Sequence, residues 1–373
     1  MRSLPFRLSA LALVCGQVCA ADLVVGSVNP MSGVMADMGN ELMWGARAAF
    51  EAVNAQGGVN GNRLVLLAKD GGYRPAEAAA VVKNLIEQDK PIALIAIAGT
   101  SINEEILNQK LLNHAQIPHV GPLSGGAVLR RPINPYLYNV RASYRAEASR
   151  LVKQALTMGA TKIAMFYQND DFGLDGLNSV EAELKKHNMK VIATGSYETG
   201  ADDVRAAVST IAKAGPDAVI MFSADKTAAA FMRGMRQHNS TANFYAASLV
   251  NHRILIQQAG LNNVQNLVIS QVVPSPNNLS KPIVKEYRDA LKRHIPEAKP
   301  SYFGLESYIA AKVLIEGLKR AGPSPTRQSL QKALDGIGRY NAGGFELTFG
   351  PNDREGSEFV DIAIVGADGE FRQ

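Results

Sequence analysis

The sequence predicts an α/β protein built as two Rossmann-like lobes, each a parallel sheet covered by helices. Three observations lead there. Short apolar runs alternate with amphipathic runs of helical period along most of the chain, and strands separated by helices pair in parallel through right-handed crossovers. The alternation breaks at an irregular connection marked by Gly125, Gly126, Pro132 and Pro135, and then resumes. The 373 residues suffice for two domains with sizeable cores.

The chain opens differently. Arg2 and Arg7 form a positive start, Leu8 to Val18 is mostly apolar, and Val18-Cys19-Ala20 resembles a small-residue cleavage site. Residues 1–21 therefore read as a secretory signal peptide. Its apolar stretch is too short to span a bilayer, and every later apolar run is interrupted by charge or glycine. Both cysteines, Cys15 and Cys19, fall in this segment, so the expected mature chain has no disulfide, although an exported compartment permits one. Val14 and Val18 precede them, where lipidation needs small residues. The formal charge is +5, and +3 without Arg2 and Arg7. The basic residues are scattered and lack aromatic interleaving, so no nucleic-acid partner is expected.

Leu23–Val28 is the first expected strand, ended by the turn Asn29-Pro30-Met31-Ser32-Gly33. Met38–Asn54 follows as a helix, with Leu42, Met43, Ala46, Ala49, Phe50 and Val53 on one face. Gly57–Asn62 leads from a helix to a strand and lacks Gly-Lys-Ser/Thr, so it is a connector and not a phosphate loop. Arg63–Lys69 is the second strand, and Pro75–Gln88 is a helix opened by proline. Ile92–Ala98 is apolar throughout, as in a strand buried on both faces. The amphipathic run to His114 carries Ile102, Ile106, Leu107, Leu111 and Leu112 at helical spacing. Pro118 disfavours helix at Ile117, so the chain restarts as an extended segment to Val120. Tyr138–Arg141 is extended as well.

A second series begins with the helix Glu147–Met158, the strand Lys162–Tyr167 and the turn Gln168–Gly173. Helix Leu174–His187, strand Lys190–Ser196, helix Asp202–Ala214, strand Asp217–Phe222 and helix Lys226–His238 follow, then strands Asn243–Ala246 and Leu267–Val273. Beyond Pro274-Ser275-Pro276 the chain is helical over Ile283–His294, Tyr302–Ala321 and Thr326–Leu334. Gly344–Phe349 and Glu358–Val365 read as closing strands. Crossings between lobes are expected near Ser143, Val272 and Gly343. Lobe 1 would hold residues 22–143 and 272–343, and lobe 2 residues 144–271 and 344–373.

Two turns in the first lobe stand out. Thr100 and Ser101 follow the strand Ile92–Ala98, and Ser124, Gly125 and Gly126 follow Ile117–Val120. Ligands of open parallel sheets sit at the carboxyl ends of strands. Hydroxyls and free N–H groups at a helix start suit an anion. The same residues also fit plain helix caps. Catalysis finds little support. The six histidines form no metal-ligand pair, no Gly-x-Ser-x-Gly occurs, and Ser124 has no assignable base. Asp170 and Asp171 fit a capped turn better than an acid pair. A binding protein without metal or cofactor is expected, not an enzyme.

The landmarks taken in order are Pro30-Met31-Ser32-Gly33, Gly45-Ala46, Asn54-Ala55-Gln56-Gly57-Gly58-Val59-Asn60-Gly61, Asp70, Gly99-Thr100-Ser101, Ile117-Pro118, Gly121-Pro122, Asp171-Phe172-Gly173 and Phe349-Gly350. Together they resemble the type I periplasmic binding proteins, in particular the leucine/isoleucine/valine-binding-protein family, the soluble receptors of ABC importers. The resemblance spans essentially the whole mature chain. It implies two lobes joined by three hinge strands, a ligand held in the cleft, and a monomer in the periplasm that docks on a permease in the inner membrane. The same cleft would serve a ligand sensor feeding a signalling receptor.

Carried over residue by residue, the resemblance puts a ligand carboxylate at Thr100 or Ser101 and at Ser124 and Gly125. The carbonyl of Leu123 would face an ammonium group. Met38 and Phe172 fall where the family has aromatic walls, although both also fit an ordinary core. The acid that pairs the ammonium should fall near Ser248, and a second tyrosine near Ala224. Neither residue type is present there, while Asp225 is adjacent. The expected ligand is a small carboxylate, an amino acid of branched-chain type or a related compound whose ammonium Asp225 meets; the alternative is an organic or aromatic acid without an ammonium group. Tyr144 would line the cleft or brace the first crossing, and Arg141 would make an ion pair or touch ligand.

Overall fold

The computed structural model describes residues 22 to 372. The expected signal peptide, with Cys15 and Cys19, lies outside these residues. The first series contains β1 (Asp22–Asn29), α1 (Ala36–Asn54), β2 (Arg63–Asp70), α2 (Pro75–Asn84), β3 (Ala93–Ile95), α3 (Thr100–Asn108), α4 (Leu111–Ala115), β4 (His119–Val120) and β5 (Leu137–Tyr138). The second contains α5 (Tyr144–Thr157), β6 (Ile163–Gln168), α6 (Asp171–Lys186), β7 (Thr194–Tyr197), α7 (Arg205–Ala214), β8 (Ala218–Phe222), α8 (Asp225–Gln237), β9 (Asn243–Ala246), α9 (His252–Ala259), α10 (Leu261–Val264) and β10 (Val268–Gln271). The chain then returns through α11 (Pro282–His294), α12 (Tyr302–Ala321), α13 (Arg327–Asp335), β11 (Gly338–Asn341), β12 (Glu346–Gly350) and β13 (Asp353–Gly356). It closes with β14 (Asp361–Val365) and β15 (Phe371–Arg372).

The first sheet has the order β2-β1-β3-β4-β5, all parallel. Apolar residues of α1, α11, α12 and α13 form the core on one face, and those of α2, α3 and α4 on the other. A Cβ at Gly45 would lie 2.0 Å from the carbonyl oxygen of Gly304, so α1 and α12 meet backbone to backbone. The second sheet runs β15-β14-β10-β9-β8-β6-β7, parallel from β10 to β7 and antiparallel at β14 and β15. Helices α5 and α6 cover one face, and α7, α8 and α9 the other.

Several elements differ from the sequence reading. Ile92–Ala98 is regular only over β3, and Ala96 takes a positive φ of 50°. The helical run to His114 divides at Lys110, φ 53°, into α3 and α4. Helices α9 and α10 have no counterpart in the sequence reading; Asn251 caps α9 by accepting the Arg253 N–H at 3.1 Å. The third crossing also moves. Phe345, Leu347 and Phe349 bury in the first lobe's core, and Phe349 stands edge-on to Tyr138 with centroids 6.1 Å apart. Residues 344–356 thus pack on the first lobe, and only β14 and β15 join the second sheet. The chain crosses after Gly356 instead of near Gly343, because the apolar side of β12 completes the first core.

Candidate functional site

The site grows from the carboxyl ends of β1, β3 and β4. Asn29, the last residue of β1, is buried. Its Nδ2 donates to the Ala96 carbonyl at 2.9 Å, and its Oδ1 accepts the Ala98 N–H at 2.9 Å. Ser27 Oγ donates to the Ile95 carbonyl at 2.6 Å. Side chains thus take over where the regular strand stops, and they steer the backbone to Gly99. Gly99 has φ 99°, a conformation that glycine adopts freely. It precedes α3 and supplies no side-chain cap. The first N–H groups of α3 therefore face the cleft with the positive end of the helix dipole.

Five of the ten residues expected at the site line one cavity between the lobes: Met38, Thr100, Leu123, Tyr144 and Phe172. Met35, Tyr73 and Gly99 complete the first-lobe wall, and Gln168, Ser223, Ala224 and Leu249 the second. Thr100 Oγ1 lies 2.9 Å from Ser124 Oγ and 3.1 Å from Tyr144 Oη. Ser124 Oγ also accepts the Gly126 N–H at 3.0 Å. Ser124 and Gly125 stand behind this wall and do not line the cavity. Gly125 makes room for an aromatic ring: a Cβ there would come 2.4 Å from the Tyr144 ring. Tyr144 is fully buried, and its ring packs on Phe172 at 5.3 Å and Phe222 at 5.7 Å. It therefore lines the cleft and braces the crossing at once. Burial pushes its hydroxyl pKa up, with Arg141 acting against that shift. Ser101 Oγ is buried without a partner and lies outside the cavity lining.

The last two expected residues, Ser248 and Asp225, are also outside the lining, and both are engaged elsewhere. Ser248 Oγ accepts from the Arg141 guanidinium. Arg141 is fully buried, donates to Glu147 Oε1 at 3.2 Å and pairs with Glu306 Oε1 at 3.7 Å. The longer contact is an ion pair and not a hydrogen bond, since Nε has no hydrogen-bond partner. Glu147 Oε2 accepts the Ser248 N–H at 2.9 Å and the Ser270 hydroxyl at 2.7 Å. Burial pushes Glu306 up to about 7, with Arg141 opposing. Arg141 is thus a structural ion-pair residue at the first crossing. Asp225 accepts the Asn251 N–H at 2.6 Å. Burial pushes it up to about 7, the Asn251 bond opposes this, and Glu41 and Asp37 add to it.

Sequence reasoning overlooked Tyr73, Gln168 and Ser223. Gln168 ends β6 and Ser223 follows β8, so the rule that ligands gather at strand ends could have found both. Glu147 and Glu306 lie on helices and carry no motif.

The arrangement is one anion-ready helix start facing a second lobe across a cavity. A model of the periplasmic binding protein family matches residues 22–370. The chain belongs to the periplasmic binding protein family. An amino acid binding protein from Pseudomonas aeruginosa is 25% identical over 333 residues, 85% of each chain. A substrate-binding periplasmic protein from Ralstonia solanacearum has 31% identity and a TM-score of 0.89, covering 94% of this chain and 99% of its own. A possible leucine/isoleucine/valine-binding protein from Rhodopirellula baltica has 28% identity and a TM-score of 0.89, over 95% and 97%. Periplasmic binding proteins of this kind are transporter receptors and not enzymes. No helix among the described residues is long and apolar enough to cross a membrane.

Proposed function

We propose that this periplasmic binding protein is the monomeric receptor of an ABC importer and that its ligand is a small carboxylate without an ammonium group. The chemistry of the cavity supports this. It offers the α3 N-terminus, the Thr100 and Tyr144 hydroxyls and the buried, unpartnered hydroxyl of Ser223. Among the described residues that line it, none is acidic or basic. Donors of this kind replace the water shell of a carboxylate. A buried ammonium would need an acid, and Asp225 is turned to Asn251 while Ser248 is held by Arg141. In this reading Thr100 and Tyr144 touch the ligand, Ser101, Ser124 and Gly125 shape the anion wall, and Met38, Leu123 and Phe172 give the head-group pocket its apolar walls.

The ligand bridges the lobes and shifts the population toward the closed form through its differential affinity. The closed form then docks on a permease in the inner membrane. A branched-chain amino acid is the second reading. The name of the Rhodopirellula baltica structure favours it, and it requires Asp225 to leave Asn251 for the ligand.

A thermal-shift comparison of leucine with 4-methylpentanoate, its des-amino counterpart, tests the choice on the mature chain. A ligand at a hundred times its Kd adds roughly 2.7 kcal/mol. The des-amino acid should raise Tm and leucine should not. Stabilisation by leucine alone, abolished by Asp225→Asn, would replace the first reading with the second.

A further inference from the structure

The cavity at α3 has a free volume of about 20 Å³. That is space for about one water, on the scale of a head group and not of a whole ligand. It has a neighbour. A second cavity of about 650 Å³ lies outside it between the lobes, and the two share Met35, Tyr73, Gln168 and Ala224. Sites for small organic ligands span about 300–1,000 Å³.

We propose that the ligand is a carboxylic acid with an apolar tail longer than the side chain of leucine, its head at α3 and its tail running past Ala224 into the outer cavity. This rests on the carboxylate reading of the inner site. Ala224 is the narrowest second-lobe side chain at the junction, and its small size leaves the way open. Its N–H donates to Tyr197 Oη at 2.8 Å, which fixes that edge of the passage. Tyr73 from the first lobe and Gln168 from the second also line both cavities.

The outer cavity has apolar walls at Pro30, Met35, Pro75, Tyr197 and Ala201. Its charges are already matched. Arg74 pairs with Glu77, and Lys226 with Asp202. Among the described residues that line it, no unpaired cation or acid is left to receive a second charged group on the ligand, so the tail is uncharged.

The test is calorimetry on the mature chain with straight-chain acids from butanoate to decanoate. Each methylene that enters the outer cavity should tighten binding about fourfold, which corresponds to ~0.8 kcal/mol. The readout is the ratio of octanoate to butanoate affinity. That ratio should be large in the natural chain and should collapse at least tenfold in Ala224→Tyr. Met35→Trp narrows the same passage from the other lobe and should act alike, with circular dichroism verifying the fold of both variants. Equal binding of butanoate and octanoate, insensitive to either variant, would overturn the long tail and leave the carboxylate reading standing. Binding of amino acids with no response to any simple acid would overturn both.

Discussion

Arg141 shows how much a single residue can decide. Its guanidinium is removed from water entirely and sits between Glu147, at the start of α5, and Glu306, near the start of α12. One cation thereby joins helices of the two lobes. Removing it strands two buried carboxyls, a change that typically costs about 3–5 kcal/mol. Arg141→Met should lower unfolding stability by that order in urea titrations. Adding Glu147→Gln and Glu306→Gln should recover most of the loss, because the uncompensated charge goes with them. A single-variant loss below about 1 kcal/mol would mean that water reaches the network. The same residue engages Ser248, which stands where the family resemblance called for a ligand-binding acid: the hydroxyl accepts from the guanidinium.

Among the elements, the junction of β1, β3 and α3 controls the site. The start of α3 is aimed by Asn29, which supplies an acceptor and a donor to the backbone at Ala98 and Ala96. Asn29→Ala should leave both groups buried without partners and cost about 1–3 kcal/mol by chemical denaturation. Carboxylate affinity should fall as well, since the helix start loses its fixed direction. Unchanged affinity in calorimetry would mean that α3 is aimed by packing alone. The strand-turn-helix order of this region was legible from the apolar run Ile92–Ala98 and the spacing of Ile102 and Ile106. The early end of β3 was not, because it depends on a side chain that reaches Ala96 and Ala98 from a neighbouring strand.

For the whole molecule, the approach of the two lobes carries a pH dependence. Glu41 on α1 and Asp225 at the start of α8 belong to different lobes and are linked through Asn251, whose Nδ2 donates to Glu41 at 3.5 Å. Burial pushes Glu41 from 4.5 up to about 7; the Asp37 charge adds to the shift, and Ser301 and Arg253 act against it. Burial likewise pushes Asp225 from 3.8 up to about 7. Both folded values are raised, so the folded protein holds protons that the unfolded chain releases. This contribution is full below about pH 4 and is lost as pH rises to about 7. In melts between about pH 5 and pH 8, Glu41→Gln with Asp225→Asn should flatten the fall in Tm relative to the natural chain. An identical slope would show that these carboxyls are solvated.

The sequence by itself determined the two α/β lobes, the parallel pairing, and the turns that carry Thr100 and Ser124. Those follow from periodicity, proline and glycine placement, and strand-end chemistry, all of which act over a few neighbouring residues. Tertiary structure alone decided the rest. Asp225 faces Asn251, Ser248 answers Arg141 from 107 positions away, β12 completes the first core, and Ala224 borders two neighbouring cavities. A buried polar group takes whichever partner the packed chain brings within hydrogen-bonding reach, and that partner lies at no fixed spacing along the sequence.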